Sequence, residues 1–289
     1  MLFVTGASGF IGRYVVKELL NQKQEVLCLV RDAEKYQLID NEQIVEGCLG
    51  DLEQLEPVLN DKQIDTCIHL AWEGIPDYSY EMSCRNLDHS LKLLKVCKNI
   101  GVSNLVITGS CWEYENPVGC IKTDYPVSSA NAFKAAKNSL HMMAHAFCKE
   151  HEIHLNWMRL FYVYGPGQRE GSLIPYIIHS FKNGKKPELN GAYNQNDFVY
   201  VQDVAEAIVK VALNHSYPEV LNVGSGEATR VMDIVMEGAK QFNIQISEND
   251  YERNSGTNFF ADKEEKEKDY GWSRTSSITE GISAMIAES

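Results

Sequence analysis

The sequence predicts an α/β fold: a doubly wound parallel sheet with a smaller, intertwined carboxy-terminal lobe. Three observations carry that expectation. An apolar run at the first residues breaks into a glycine-rich turn and then a helix. Strand-like and helix-like segments alternate as far as Tyr164, and the alternation loosens from Gly165 onward.

Taken in order, Leu2-Phe3-Val4 is a short buried-strand run, and Thr5-Gly6-Ala7-Ser8-Gly9-Phe10-Ile11-Gly12 follows it. Tyr14-Val15-Val16-Lys17-Glu18-Leu19-Leu20 then has helical apolar spacing. In a strand, turn and helix of this kind Gly6 permits the tight turn and Gly9 lets the backbone approach a pyrophosphate. Gly12 lets the helix pack on the strand while its N-terminal amides face the anion. This is the Rossmann arrangement, and it makes Gly6, Ser8, Gly9, Phe10, Ile11 and Gly12 a candidate dinucleotide loop.

Glu25 to Val30, Thr66 to Ala71, Leu105 to Ser110 and Leu155 to Leu160 are the next predicted strands. Helices from Met82 to Ile100 and from Asn131 to Lys149 precede the last two. Such alternation indicates parallel strands covered on both faces. Beyond Gly165-Pro166-Gly167 come a helix near Leu173 to Phe181 and a Gly-, Asn- and Gln-containing loop from Gly184 to Asn196. Val204 to Leu213 reads as helix, Val220 to Val223 as strand, and Val231 to Phe242 as a short helix. The charged run Asp262 to Lys268 reads as a solvated helix face. The expected organisation is a dinucleotide domain over residues 1–164, rejoined by 197–224, with a substrate lobe from 165–196 and 225–289.

The 289 residues are 44% hydrophobic, enough to bury a nucleotide domain and a second lobe. A net charge of −13, with a pI of about 5.1, argues against a general nucleic-acid or membrane-surface binder. The eight cysteines are scattered without CxxC or metal-ligand spacing, which predicts reduced thiols and no metal. With no leader ahead of the first strand and no apolar run long enough for a bilayer, the expected location is the cytoplasm.

The ordered motifs then carry a family resemblance. They are Thr5 to Gly12, Gly50-Asp51-Leu52, His69-Leu70-Ala71, Thr108-Gly109-Ser110 ahead of Tyr114, and Phe133 four residues before Lys137. Arg159 to Gly167, Asp197 to Val204, Asn222 to Gly226 and Tyr270-Gly271-Trp272 complete the series. Across almost its whole length the chain resembles the extended short-chain dehydrogenase/reductases, which include nucleotide-sugar epimerases, 4,6-dehydratases and 4-ketoreductases.

The resemblance implies a bound nicotinamide dinucleotide. Asp51 and Leu52 would line the adenine pocket, and Leu70 and Ala71 the wall beside the phosphates and ribose. Val30 falls where such families often carry the acidic residue that holds the adenosine ribose, and Arg31 follows it. A missing carboxylate with an added guanidinium favours NADP(H), since the guanidinium can bond a 2′-phosphate. NAD(H) is the alternative, with Arg31 then a solvated loop side chain.

For catalysis the family uses a Ser or Thr hydroxyl, a tyrosine and a lysine, the last two on one helix face. Ser110 and Lys137 fit two of these positions, and Lys137 would also hold the nicotinamide ribose. Phe133 stands at the tyrosine position and has no proton to give. Either tyrosine was replaced there to trap a substrate, or phenylalanine is natural and another group donates the proton or no reaction occurs. Sugar 4,6-dehydratases of this family place Asp-Glu directly after the hydroxyl residue; here Cys111 and Trp112 stand there, which argues against dehydration.

The resemblance further implies that Phe161, Tyr162 and Val163 lie near nicotinamide or sugar, with Cys111 and Trp112 near the sugar. Arg169, Asn196 and Arg253 are candidates around the diphosphate, Asn196 standing where many relatives have arginine. The substrate would occupy the crevice between lobes. Homodimers of relatives form through the two long helices, where Leu87, Leu91, Leu94, Leu140, Met143 and Phe147 offer an apolar stripe that core burial would explain equally. The expected function is NADPH-dependent reduction of a 4-keto-6-deoxy nucleotide sugar of the kind made for surface polysaccharides. An NAD-dependent 4-epimerase or dehydrogenase, and a non-catalytic dinucleotide sensor, are the alternatives.

Overall fold

The computed structural model describes residues 1–252 and 256–288. Its strands are β1 (Leu2–Thr5), β2 (Val26–Val30), β3 (Gln43–Glu46), β4 (Thr66–His69), β5 (Asn104–Ser110), β6 (Gly119–Ile121) and β7 (His154–Leu160). They continue with β8 (Tyr162–Tyr164), β9 (Gln195–Asn196), β10 (Phe198–Tyr200), β11 (Val220–Val223), β12 (Thr229–Arg230) and β13 (Asn258–Ala261). The helices are α1 (Phe10–Asn21), α2 (Glu56–Asn60), α3 (Tyr80–Asn99), α4 (Ala132–Glu150), α5 (Leu173–Lys182), α6 (Val201–Ala212), α7 (Val231–Gln241), α8 (Lys263–Tyr270) and α9 (Ile278–Glu288).

The chain forms two compact units, each assembled from separate segments. The first comprises Met1–Glu115, Asp124–Arg159 and Ala205–Leu221. It is built on a seven-stranded sheet in the order β11-β7-β5-β4-β1-β2-β3. β1 lies between β2 and β4, parallel to both, so the strand order reverses beside it. In the ladder Thr5 is level with Leu29 and His69, and His69 with Ile107. The segments leaving β1, β2, β4 and β5 therefore emerge at one edge of the sheet, where open α/β sheets bind ligands.

Every residue of β2 is buried, as expected of a strand with both faces covered. β3 was not anticipated, because Gln43-Ile44-Val45-Glu46 is polar at both ends and only half buried; it survives as an edge strand paired to β2. On α1, Val15, Val16 and Leu19 turn inward. The core joins Phe3, Leu27, Cys67, Leu105 and Trp157 of the strands to Leu93, Val96, Cys97, Leu140 and Ala144 of α3 and α4. Much of the apolar stripe on those helices serves this core: Leu94 and Leu140 lie inside it, and Leu87, Leu91 and Phe147 pack against it. Met142 and Met143 remain exposed.

The second unit comprises Asn116–Thr123, Leu160–Val204 and Asn222–Ser289. It holds the parallel pair β8 and β10 and a second sheet in the order β12-β9-β13-β6. Its core gathers Ile174, Ile177 and Phe181 of α5 with Met232 and Val235 of α7 and Ile282 of α9. Fully buried Asp197 accepts hydrogen bonds from the amides of Ser225, Gly226 and Ala261. These bonds offset the burial of its charge, although desolvation still raises its pKa.

The charged run at α8 departs from a simple solvated face. Lys266 is only 2% exposed; its ammonium donates to the Gly224 carbonyl and lies over the Trp272 ring. Glu265 accepts from the amide and hydroxyl of Thr123. A long aliphatic stem lets a charge in a polar run reach an interior acceptor, which charge patterning alone does not reveal. No disulfide joins any of the eight cysteines. Among the described residues no helix is long and apolar enough to cross a membrane.

Candidate active site at the carboxyl edge of the sheet

The glycine turn is close-packed wherever a side chain would obstruct it. Gly6 has φ +77°, and a Cβ there would sit 2.7 Å from the Ala71 amide nitrogen. A Cβ on Gly12 would come within 2.0 Å of the Gly6 carbonyl oxygen. At Gly9 the nearest obstacle is that same oxygen, at 3.1 Å. Gly9 begins α1 without a side-chain cap, and the first turn contains no acidic residue. The opening amides of a helix lack intrahelical acceptors, so this end is suited to an external anion. These residues fit the pyrophosphate of a nicotinamide dinucleotide, with Ser8 exposed and Phe10 and Ile11 half-buried beside it.

The walls of the turn are anchored by a buried polar chain. His69 shares hydrogen bonds with Thr5 Oγ1 at 2.7 Å and Ser90 Oγ at 2.9 Å, and Ser90 also donates to the Asn86 carbonyl. Burial, reinforced by the nearby Lys137 charge, pushes the His69 pKa down to about 3, so the ring is neutral. Leu70 and Ala71 follow directly and form the backbone against which Gly6 packs.

Ser110 closes β5. Its hydroxyl accepts from the Trp112 amide, and its own amide donates to Glu113 Oε1 at 2.7 Å. Glu113 is fully buried and takes further hydrogen bonds from Trp157 Nε1 at 2.9 Å and Arg159 Nε at 2.8 Å. A Cβ on Gly109 would collide with both Trp157 and Glu113, so glycine allows this carboxylate to reach the strand. Sequence reasoning missed Glu113. The available signal was Trp157 and Arg159 on one side of a buried strand, two donors that require an acceptor.

Lys137 lies on α4 one turn beyond Phe133. Its ammonium donates to the Thr108 carbonyl at 2.9 Å and stands 3.9 Å from the centroid of the Trp72 ring. Burial lowers its pKa to about 8, against the opposing pull of Glu113. Phe133 is 5% exposed and ringed by aromatics: its ring centroid is 5.7 Å from Trp72, 5.2 Å from Tyr78 and 6.1 Å from Trp112. The structure thus brings Ser110, Trp112, Phe133 and Lys137 into one linked cluster, with Cys111 buried behind it.

The other candidates occupy varied settings. Arg31 is exposed, and its guanidinium is 3.7 Å from Glu73. Asp51 is exposed, accepts from Cys48 Sγ, and precedes buried Leu52. In the second unit Phe161 is buried against Phe259, the Val163 carbonyl accepts from Gln168, and Arg169 is exposed. Asn196 is buried and accepts from Thr257 Oγ1. Arg253 lies outside the described residues.

A parallel sheet with an uncapped, glycine-lined helix start, and with Ser110 and Lys137 in one aromatic-linked cluster at its edge, defines the class: NAD(P)-dependent enzymes of the extended short-chain dehydrogenase/reductase type. Residues 2–224 match the NAD dependent epimerase/dehydratase family, and the chain belongs to that family. It is 26% identical over 248 residues to dTDP-6-deoxy-L-talose 4-dehydrogenase (NAD(+)) of Aggregatibacter actinomycetemcomitans, covering 85% of this chain and 92% of that protein. Among solved structures it is similar to MoeE5 in complex with UDP-glucose and NAD, at 26% identity and TM-score 0.84 over 99% of this chain and 97% of that one. It shares its fold with the UDP-glucose 4-epimerase of Thermotoga maritima, at 22% identity and TM-score 0.87, covering 99% and 97% of the two chains.

Proposed function

We propose that this protein reduces the 4-keto group of a 6-deoxy hexose carried on a nucleotide, with NADPH as reductant. The observation that carries the reading is that Ser110 and Lys137 meet in one cluster through Trp72, Phe133 and Trp112, with Cys111 and Trp112 directly after Ser110 where elimination would need carboxylic acids. Glu113, the carboxylate nearest Ser110 in sequence, is buried and committed to three donors. The similar dehydrogenase named for position 4 of a 6-deoxy sugar supports the same carbon.

The dinucleotide supplies hydride when bound. The amides opening α1 would hold its pyrophosphate, Asp51 and Leu52 its adenine, and Lys137 its nicotinamide ribose. Ser110 would hold the sugar oxygen. Arg31 after Val30 supports NADPH, because its guanidinium is exposed, lies 3.7 Å from Glu73, and can turn to a 2′-phosphate. A reading with NAD as a 4-epimerase or dehydrogenase is favoured by that same Glu73 contact and by the NAD(+) in the similar dehydrogenase's name.

The test is oxidation of NADPH and NADH, followed by absorbance, with dTDP- and UDP-4-keto-6-deoxyglucose. Turnover with NADPH preferred, and a preference lost in Arg31→Asp, is the expected result. Tightly copurified NAD released on denaturation would favour the epimerase. Cofactor binding without turnover on any sugar nucleotide would favour a sensor.

A further inference from the structure

We propose that Tyr78 is the proton donor of this active site, standing in for the phenol that Phe133 lacks. The inference rests on the reductase reading above. Tyr78 and Phe133 have ring centroids 5.2 Å apart, and Tyr78 and Trp112 are separated by 5.3 Å. Trp112 in turn donates its amide to the Ser110 hydroxyl. A phenol on a separate loop therefore joins the cluster that holds Ser110, Phe133 and Lys137.

The loop is built to hold that phenol in place. Gly74, with φ +83°, turns the chain after Trp72, and the Asp77 amide donates to the Gly74 carbonyl. Asn86 clamps the loop start by accepting from the Glu73 amide and donating to the Glu73 carbonyl. Directly after Tyr78, Ser79 caps α3 by accepting from the Met82 amide. Tyr78 is thus pinned between a turn and a helix cap.

Tyr114, the other phenol next to Ser110 in sequence, is unsuited to the task. It is fully buried, its oxygen accepts from Arg159, and its ring packs edge-on to Tyr125. Tyr78 is 36% exposed, so its proton can be replenished from water. Packing alone would account for an aromatic ring beside Phe133, but it would be served equally by phenylalanine.

The step balances without a further reactant. A ketone carbon that has gained hydride from the reduced nicotinamide dinucleotide leaves an alkoxide on the sugar. The Tyr78 O–H bond breaks, an O–H bond forms on the alkoxide, and the resulting phenolate takes a proton from solvent.

The experiment compares wild type, Tyr78→Phe, Phe133→Tyr and the double variant, using NADPH with dTDP- and UDP-4-keto-6-deoxyglucose. NADPH binding by each protein is measured separately by calorimetry. Removing the Tyr78 hydroxyl is expected to lower kcat by roughly 100-fold to 10⁴-fold, with NADPH binding unchanged. Adding Phe133→Tyr to that variant is expected to restore turnover. Turnover of Tyr78→Phe within a few-fold of wild type overturns the proposal. An inert wild type with an active Phe133→Tyr overturns it while leaving the reductase reading intact. If both are inert on every sugar nucleotide, the reductase reading fails and the donor role falls with it.

Discussion

Glu113 shows how much a single buried side chain can organise. It ties the start of the Ser110 turn to Trp157 and Arg159 in the interior. Glu113→Gln leaves the arginine charge buried without its counter-charge. Loss of about 3 to 5 kcal/mol is expected, read as a shifted urea midpoint. Lys137→Met, by contrast, removes a buried charge whose burial is costly. It should weaken dinucleotide binding while leaving the urea midpoint near or above that of wild type. At this scale the motifs singled out Ser110, Phe133 and Lys137, because their spacing is local. Glu113, Trp72 and Tyr78 were not singled out, because their contacts depend on neighbours far away in sequence: Trp157 lies 44 residues from Glu113.

Among the elements, α1 and the turn before it carry the most specific expectation. Gly9→Asp would place a capping carboxylate where the helix has none. The cap gain of a few tenths of a kcal/mol is offset by the 3.1 Å approach of the new Cβ to the Gly6 carbonyl oxygen, while nicotinamide dinucleotide affinity falls by roughly tenfold through repulsion of the pyrophosphate. Thermal unfolding should therefore change little where calorimetry shows a clear loss. The strand β2 and helices α3 and α4 were readable from continuous or periodic apolar patterns. β3 was not, since an exposed edge strand needs no apolar signature. The burial of Lys266 on α8 was equally hidden, as its acceptor lies on Gly224, 42 residues earlier.

For the whole molecule, two buried bases shape the dependence of stability on pH. Unfolded histidine titrates near 6.5, whereas folded His69 does so at about 3. Below about pH 6.5 the unfolded chain thus binds the extra proton, and stability falls by about 1.4 kcal/mol per pH unit from this group until about pH 3. Lys137 acts with the same sign at the alkaline end: between its folded value of about 8 and the ordinary 10.5, the unfolded chain holds more protons. Stability from that group therefore rises with pH across this window. Urea titrations should show a shallower acid slope in His69→Gln and loss of the alkaline rise in Lys137→Met. The alternation of strands and helices signalled the parallel sheet, but not which segments join each unit. Gly119–Ile121 belongs to the second unit through pairing with Phe259–Ala261, a partnership nothing local announces.

The aromatic enclosure of Phe133 also gives the site an optical signature. Of the chain's four tryptophans, Trp72 and Trp112 border that ring, while Trp157 and Trp272 are buried elsewhere. A reduced nicotinamide bound at the proposed site would quench indole emission. Replacing Trp72 or Trp112 by phenylalanine would report the share of that quenching each indole carries.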